Sequence, residues 1–167
     1  MKTKILLFFF IIKCIDAFSQ QLPDSISKTK TDFPITLSKN TLGLDISCVV
    51  FTVGTSVNFE GLLFRNQTET KSFYVRFGIG YYMIGDVGGG LTEGIQIPIS
   101  LVYLSGKKNH HFETDLGIRT IFPKDDYNVL GYPILNIGYR YQRPGNGVLF
   151  KTLIGTDGIT LGVGYGF

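Results

Sequence analysis

The stretch GITLGVGYGF, residues 158–167, has an apolar residue at every second position and closes on an aromatic residue. Successive side chains of an extended strand point to opposite faces, so one face would hold Ile159, Leu161, Val163, Tyr165 and Phe167. The opposite face would hold Thr160 and glycines, which are too small and uncharged to form the solvated face of a soluble strand. The pattern predicts a strand that faces lipid on one side and a narrow, filled barrel interior on the other.

Similar alternation runs through the chain from residue 42 onward, provided that the long segment 42–64 is split at Gly54-Thr55. The predicted strands are 43–53, 56–64, 71–84, 94–105, 110–122, 131–142, 147–155 and 158–167. An even number of crossings returns the last strand to the side on which the first one began. We therefore predict an all-β fold, an eight-stranded antiparallel up-and-down transmembrane β-barrel over residues 42–167.

Loop lengths give the predicted barrel an orientation. Barrels of this kind have short turns on the periplasmic side and longer loops outside. If the first strand rises away from the periplasm, the compact turns 106–109 and 143–146 lie on the periplasmic side. The segments 86–93 and 123–130 then form the outer loops.

The predicted strands place apolar residues on one face and ionised groups on the other, together with most glycines. A soluble lipid-binding barrel would reverse this arrangement, with its apolar residues inside. The predicted interior network of charges comprises Glu60, Arg76, Glu113, Asp115, Arg119, Arg140 and Lys151. An eight-stranded barrel is filled by side chains, so we interpret these charges as a mutually neutralising network that plugs the interior. A selectivity lining or a proton path is the functional alternative.

The beginning of the chain has a different composition. Lys2 and Lys4, the apolar run 5–12 and the sequence Ala17-Phe18-Ser19 are typical of a secretory signal peptide, predicted over residues 1–19 with cleavage after Ser19. Residues 20–41 are predicted to form a short polar segment. All 21 glycines of the chain begin at Gly43, which marks the start of the barrel domain.

Charge and reactive residues exclude several classes of function. The leader accounts for three lysines and one aspartate, so the net charge of +3 falls to about +1 on its removal, and we expect no nucleic-acid partner. Cys48, the lone mature cysteine, is predicted to be a small buried hydrophobe. His110 and His111 are adjacent on a strand and point to opposite faces, so they are not expected to share a metal. We predict no catalytic residue, no metal and no cofactor.

The last residues, Tyr165 and Phe167, resemble the C-terminal signal of bacterial outer-membrane barrels. The wider chain resembles the small, uncharacterised outer-membrane β-barrel proteins of Gram-negative bacteria. The stretches that carry this resemblance are 56–60 (SVNFE), 104–113 (LSGKKNHHFE), 137–142 (IGYRYQ) and 164–167 (GYGF). The resemblance implies an outer-membrane location, contact with outer-membrane lipid, and recognition of Tyr165 and Phe167 by the barrel-assembly machinery during insertion. It implies no reaction.

Three functional hypotheses follow from these observations. The favoured one is a monomeric, non-enzymatic outer-membrane barrel with a structural, binding or minor permeation role. The second is a barrel-embedded lipid-modifying enzyme, similar to a lipid A deacylase, which would need a nucleophile and a base near the outer rim. The third is a secreted soluble β-barrel carrier.

Overall fold

The computed structural model describes residues 37–66, 70–85, 90–124 and 129–167, which form one closed antiparallel barrel. Its strands are β1 (Asn40–Val49), β2 (Thr52–Arg65), β3 (Lys71–Gly85), β4 (Leu91–Lys107), β5 (His110–Pro123), β6 (Leu130–Gln142), β7 (Gly147–Gly155) and β8 (Gly158–Gly166). Each strand pairs with its neighbour in sequence, and β8 pairs with β1. The predicted eight-stranded, up-and-down all-β fold is confirmed.

The predicted barrel boundary shifts slightly, because β1 begins at Asn40 and not at residue 42. The predicted signal peptide, residues 1–19, and residues 20–36 of the polar segment lie outside the described residues. Within the described ranges, no helix has the length and apolar character needed to cross a membrane.

The first turn lies earlier than the sequence predicts. Val50 and Phe51 connect β1 to β2, whereas Gly54 is paired with Ser47 inside the ladder, so the predicted turn at Gly54-Thr55 is wrong. A Cβ atom at Gly54 would lie 2.7 Å from the Ser47 hydroxyl oxygen and 3.2 Å from Nε2 of Gln96. The glycine is therefore needed for close packing toward the interior, while two apolar residues form the turn.

A β-bulge interrupts the alternation near the end of β2. The register with β3 shifts between Leu62 and Phe64, and both Leu63 and Phe64 are exposed on the outer wall. One extra residue in a strand permits two consecutive side chains to face the same side. The bulge lets Leu62 pack inward against the apolar cluster at one end of the barrel.

The barrel is apolar outside and polar inside. Among the described residues, 37 large hydrophobic side chains are exposed, whereas eight hydrophobic and 19 polar or charged side chains are buried. The final strand follows the predicted pattern, since Leu161 and Tyr165 are exposed and Thr160 is buried. This distribution is the reverse of that in a water-soluble globular domain, where apolar side chains fill the core.

Cys48 lies on the outer wall near the end of β1. Its side chain is exposed and shares the apolar face with Leu44 and Ile46. The prediction that Cys48 is buried is wrong, because the buried face of this strand is the polar one.

The chain that precedes β1 closes one end of the barrel. We call it the terminal end because the first described residue, Leu37, and the last, Phe167, both lie there. Leu37 is buried against Tyr74, Val102 and Leu104. The Tyr74 hydroxyl donates to the Ser38 carbonyl over 3.0 Å, the Ser38 hydroxyl donates to the Gly145 carbonyl, and the Arg65 guanidinium donates to the Leu37 carbonyl. These contacts hold the entering chain inside the mouth of the barrel.

Candidate functional site in the barrel interior

The seven charged residues that the sequence places in the interior are all buried. Their exposed fractions range from 0% to 7%, and they lie on five different strands, β2, β3, β5, β6 and β7. The group comprises Glu60, Arg76, Glu113, Asp115, Arg119, Arg140 and Lys151. Burying an unpaired charge would cost much free energy, so each of these groups needs a partner of opposite charge.

Arg76 is the centre of the largest cluster. Its guanidinium contacts Glu60 at 2.7 Å, Glu113 at 2.5 Å and Asp115 at 2.5 Å. Glu113 and Asp115 belong to β5, which is separated from the β3 strand of Arg76 by β4, so both contacts cross the interior. One planar guanidinium thereby joins three strands through charge-assisted hydrogen bonds.

Arg140 links opposite walls of the barrel. Its Nη1 atom lies 2.7 Å from Oε2 of Glu60, and its strand β6 is four strands away from β2 in either direction around the barrel. The same atom lies 3.4 Å from Oε2 of Glu113, and the guanidinium carbon is 5.8 Å from the centre of the Tyr74 ring. The Arg140–Glu60 pair therefore spans the interior next to the apolar cluster of the terminal end, which Arg140 contacts through Tyr74.

Two further pairs use acids that the sequence analysis did not place in the network. Nζ of Lys151 lies 2.7 Å from Oδ2 of Asp45, and the Arg119 guanidinium lies 2.6 Å from Oδ2 of Asp157. Asp45 alternates with the exposed Leu44 and Ile46, so the same alternation would have identified it. Asp157 lies in the β7–β8 turn, where an aspartate is ordinarily explained by turn formation.

A small cavity adjoins the charge network in the half of the barrel away from the terminal end. Its volume is about 30 Å³, and its lining includes Asn58, Gln96, Arg119, Asn136 and Thr160. Pockets for small organic ligands are typically about 300 to 1,000 Å³. No group of three or more metal-ligating side chains is placed to hold a metal ion in the described part of the chain.

The two histidines of the chain have separate environments. His111 is buried, and its Nε2 atom lies 3.0 Å from the Lys108 carbonyl, whereas His110 is exposed and its Nδ1 atom lies 2.5 Å from the Tyr139 hydroxyl. As predicted, they face opposite sides of β5. Both lie at the terminal end of that strand, while Ser47 lines the cavity in the other half of the barrel.

Gly162 provides the space for the Lys151–Asp45 ion pair. A Cβ atom on Gly162 would lie 2.3 Å from Oδ1 of Asp45 and 2.5 Å from Cε of Lys151. We predict that Gly162→Ala lowers the free energy of unfolding by about 1 to 3 kcal/mol, because both side chains must move. Chemical denaturation of the folded barrel measures this loss.

The matched control is Gly131→Ala in β6, where an added Cβ meets no atom within 4 Å. This change should be neutral or stabilise the barrel by up to about 1 kcal/mol, since alanine restricts the unfolded chain. Equal losses for the two variants would mean that space beside the ion pair is not what Gly162 provides.

Comparison of the chain with models of protein families gave no match. Searches of curated proteins and of solved structures also gave no match. The resemblance to small outer-membrane barrels therefore remains a prediction from the sequence.

Proposed function

We propose that this chain is an integral outer-membrane β-barrel protein, non-enzymatic, with a structural or binding role and an interior closed by ion pairs. The observation that carries the proposal is the distribution of side chains. Every charged side chain in the described ranges lies either inside the barrel or near the end of a strand, and the wall between is apolar. Lipid is the solvent that stabilises such a wall, whereas water does not.

The height of the apolar wall fits a bilayer. Phe112 and Phe122 are both exposed on β5, ten residues apart. A rise of about 3.4 Å per residue and a tilt of about 40° give roughly 25 Å along the membrane normal, the usual height of the lipid-facing band. Exposed tyrosines lie toward both limits, Tyr139 and Tyr165 near the terminal end and Tyr132 near the other, as in interfacial aromatic girdles.

The contacts of the interior support a binding or structural role over permeation. The Arg140–Glu60 pair joins opposite walls of the barrel. Next to it, the terminal end is filled by the apolar cluster of Leu37, Tyr74, Val102 and Leu104. An ion would have to break the charge network and displace buried side chains in order to pass. We therefore assign contact with lipid or a partner to the outer wall, and the interior stabilises that wall.

The other two hypotheses receive less support from the geometry. A soluble carrier needs a ligand cavity, and the interior cavity of about 30 Å³ has room for about two water molecules. An enzyme acting at the outer leaflet needs a base near the outer rim, and both histidines lie at the terminal end. Tyr165 and Phe167 are exposed on the wall, where the assembly machinery could reach them, which is the role we propose for them.

Cell fractionation combined with a permeability measurement tests this proposal. Expressed in a Gram-negative host, the full chain should fractionate with the outer membrane and migrate faster in unheated than in heated gel samples, as closed barrels do. Reconstituted into liposomes, it should leave the permeability to salt and small sugars at the level of protein-free liposomes. Recovery in the soluble periplasmic fraction would overturn the membrane assignment, and rapid liposome swelling would overturn the closed interior.

A further inference from the structure

The exposed charged side chains that the structure describes at the terminal end of the barrel are all basic. Among the described residues of this end they are Lys39, Lys71, Lys107, Lys108 and Arg143, and the half-buried Arg65 is a sixth cation. At the opposite end the described charges are mixed, since Lys124 is paired with Glu93 at 3.0 Å and Asp157 with Arg119. Anionic groups are therefore attracted to the terminal end.

One part of the terminal end combines these charges with an aromatic wall. The Lys107 and Lys108 side chains are exposed where β4 turns into β5. Directly beside them, the ring of His110 lies 6.0 Å from the ring of Tyr139 and 5.7 Å from that of Tyr141, measured between centroids. The hydroxyls and the imidazole provide polar atoms at the level where the wall changes from apolar to charged.

A shallow groove runs over the outer wall from this cluster. Its volume is about 520 Å³, and its lining includes His110, Phe112, Tyr139 and Thr152. Phe112 and Tyr139 are exposed large side chains that face away from the barrel interior. The groove thus begins at His110, which is paired with Lys107 of the cationic turn, and lies on the apolar wall at the terminal side of the proposed lipid-facing band.

We propose that this groove is a binding site for a phospholipid with an anionic headgroup, with the phosphate at Lys107 and Lys108 and an acyl chain along Phe112 and Tyr139. The inference rests on the proposed membrane function. Ammonium groups attract phosphate as point charges, and the His110 and Tyr139 rings suit the headgroup level. A soluble acidic partner would bind through the lysine charges alone. The adjoining apolar groove instead matches a ligand that has both an anionic group and an acyl chain.

Native mass spectrometry of the protein in detergent micelles tests the site, with dioleoyl-phosphatidylglycerol and dioleoyl-phosphatidylcholine as probes. The wild-type protein should bind phosphatidylglycerol more tightly. The double substitution Lys107→Gln with Lys108→Gln should weaken that binding roughly tenfold and leave phosphatidylcholine binding nearly unchanged, because each basic residue contributes modestly to headgroup attraction. Thr152→Phe fills the groove without changing the charge, and it should weaken the binding of both lipids.

The matched control is Lys39→Gln with Lys124→Gln, which removes the same charge on the other side of the barrel and at its opposite end. It should leave phosphatidylglycerol binding within about twofold of wild type. Equal weakening by the two double variants would show general attraction of polyanions to the basic end and would overturn a localised site. Equal affinity of the folded wild-type barrel for both lipids would also overturn it, while leaving the membrane proposal intact. A chain that does not fold in micelles would instead contradict the proposed function.

Discussion

Arg140→Met will lower the free energy of unfolding by about 3 to 5 kcal/mol, the usual cost of removing one partner from a buried ion pair. The Arg140 side chain is fully buried, and it contacts Glu60 at 2.7 Å and Glu113 at 3.4 Å. Methionine keeps much of the volume but supplies neither the charge nor the donors. Both carboxylates remain buried, with fewer cations beside them.

The balance of charges in the central cluster explains the size of this effect. The cluster joins three cations to four carboxylates, namely Arg76, Arg140 and Lys151 with Asp45, Glu60, Glu113 and Asp115. Without Arg140, two cations would face four buried carboxylates. Repulsion and lost solvation then favour the unfolded chain, in which the carboxylates are hydrated.

Urea denaturation followed by far-ultraviolet circular dichroism measures the loss, since the chain contains no tryptophan for fluorescence. The double variant Glu60→Gln with Arg140→Met should lose less than the sum of the two single variants, because the second change removes a charge that the first one stranded. The exposed Lys39→Met serves as the control and should cost less than about 0.5 kcal/mol. A loss below 1 kcal/mol for Arg140→Met would mean that the interior charges are solvated and that the barrel is open.

Much of this fold can be predicted from the sequence because the outer side of the barrel wall takes apolar side chains and the inner side takes polar or small ones. Alternation in β3 places Phe77 outside and Arg76 inside, and the structure has both as predicted. The same alternation assigns interior positions to residues far apart in the chain, such as Glu60 and Arg140. It cannot say which of them touch, because that depends on how the strands are staggered around the closed barrel.

The departures from the prediction occur where another requirement overrides alternation. Val50 and Phe51 form a turn although neither is a usual turn residue, while Gly54 is inside a strand because a larger residue would meet Ser47. The bulge at Leu63 breaks the period of two, and nothing in that apolar stretch marks its position. Asp157 pairs with Arg119 from within a turn, where strand alternation gives no information.

In the proposed function the outer wall of the barrel faces lipid, and arginine placed at two depths on that wall tests this assignment. Ile99 lies at the middle of β4 with 56% of its side chain exposed, and Leu91 lies at the first position of the same strand with 58% exposed. The two residues therefore match in size, strand and exposure, and differ only in their distance from the barrel rim.

The test compares the free energies of unfolding of the Ile99→Arg and Leu91→Arg variants in phospholipid vesicles. We predict that Ile99→Arg lowers this free energy by about 2 to 4 kcal/mol and Leu91→Arg by no more than about 1 kcal/mol, since an arginine near the bilayer midplane loses its hydration and one at the interface does not. Equal small losses at both positions, together with folding of the wild-type protein in buffer without lipid, would show that water covers the wall and that the barrel does not lie in a membrane.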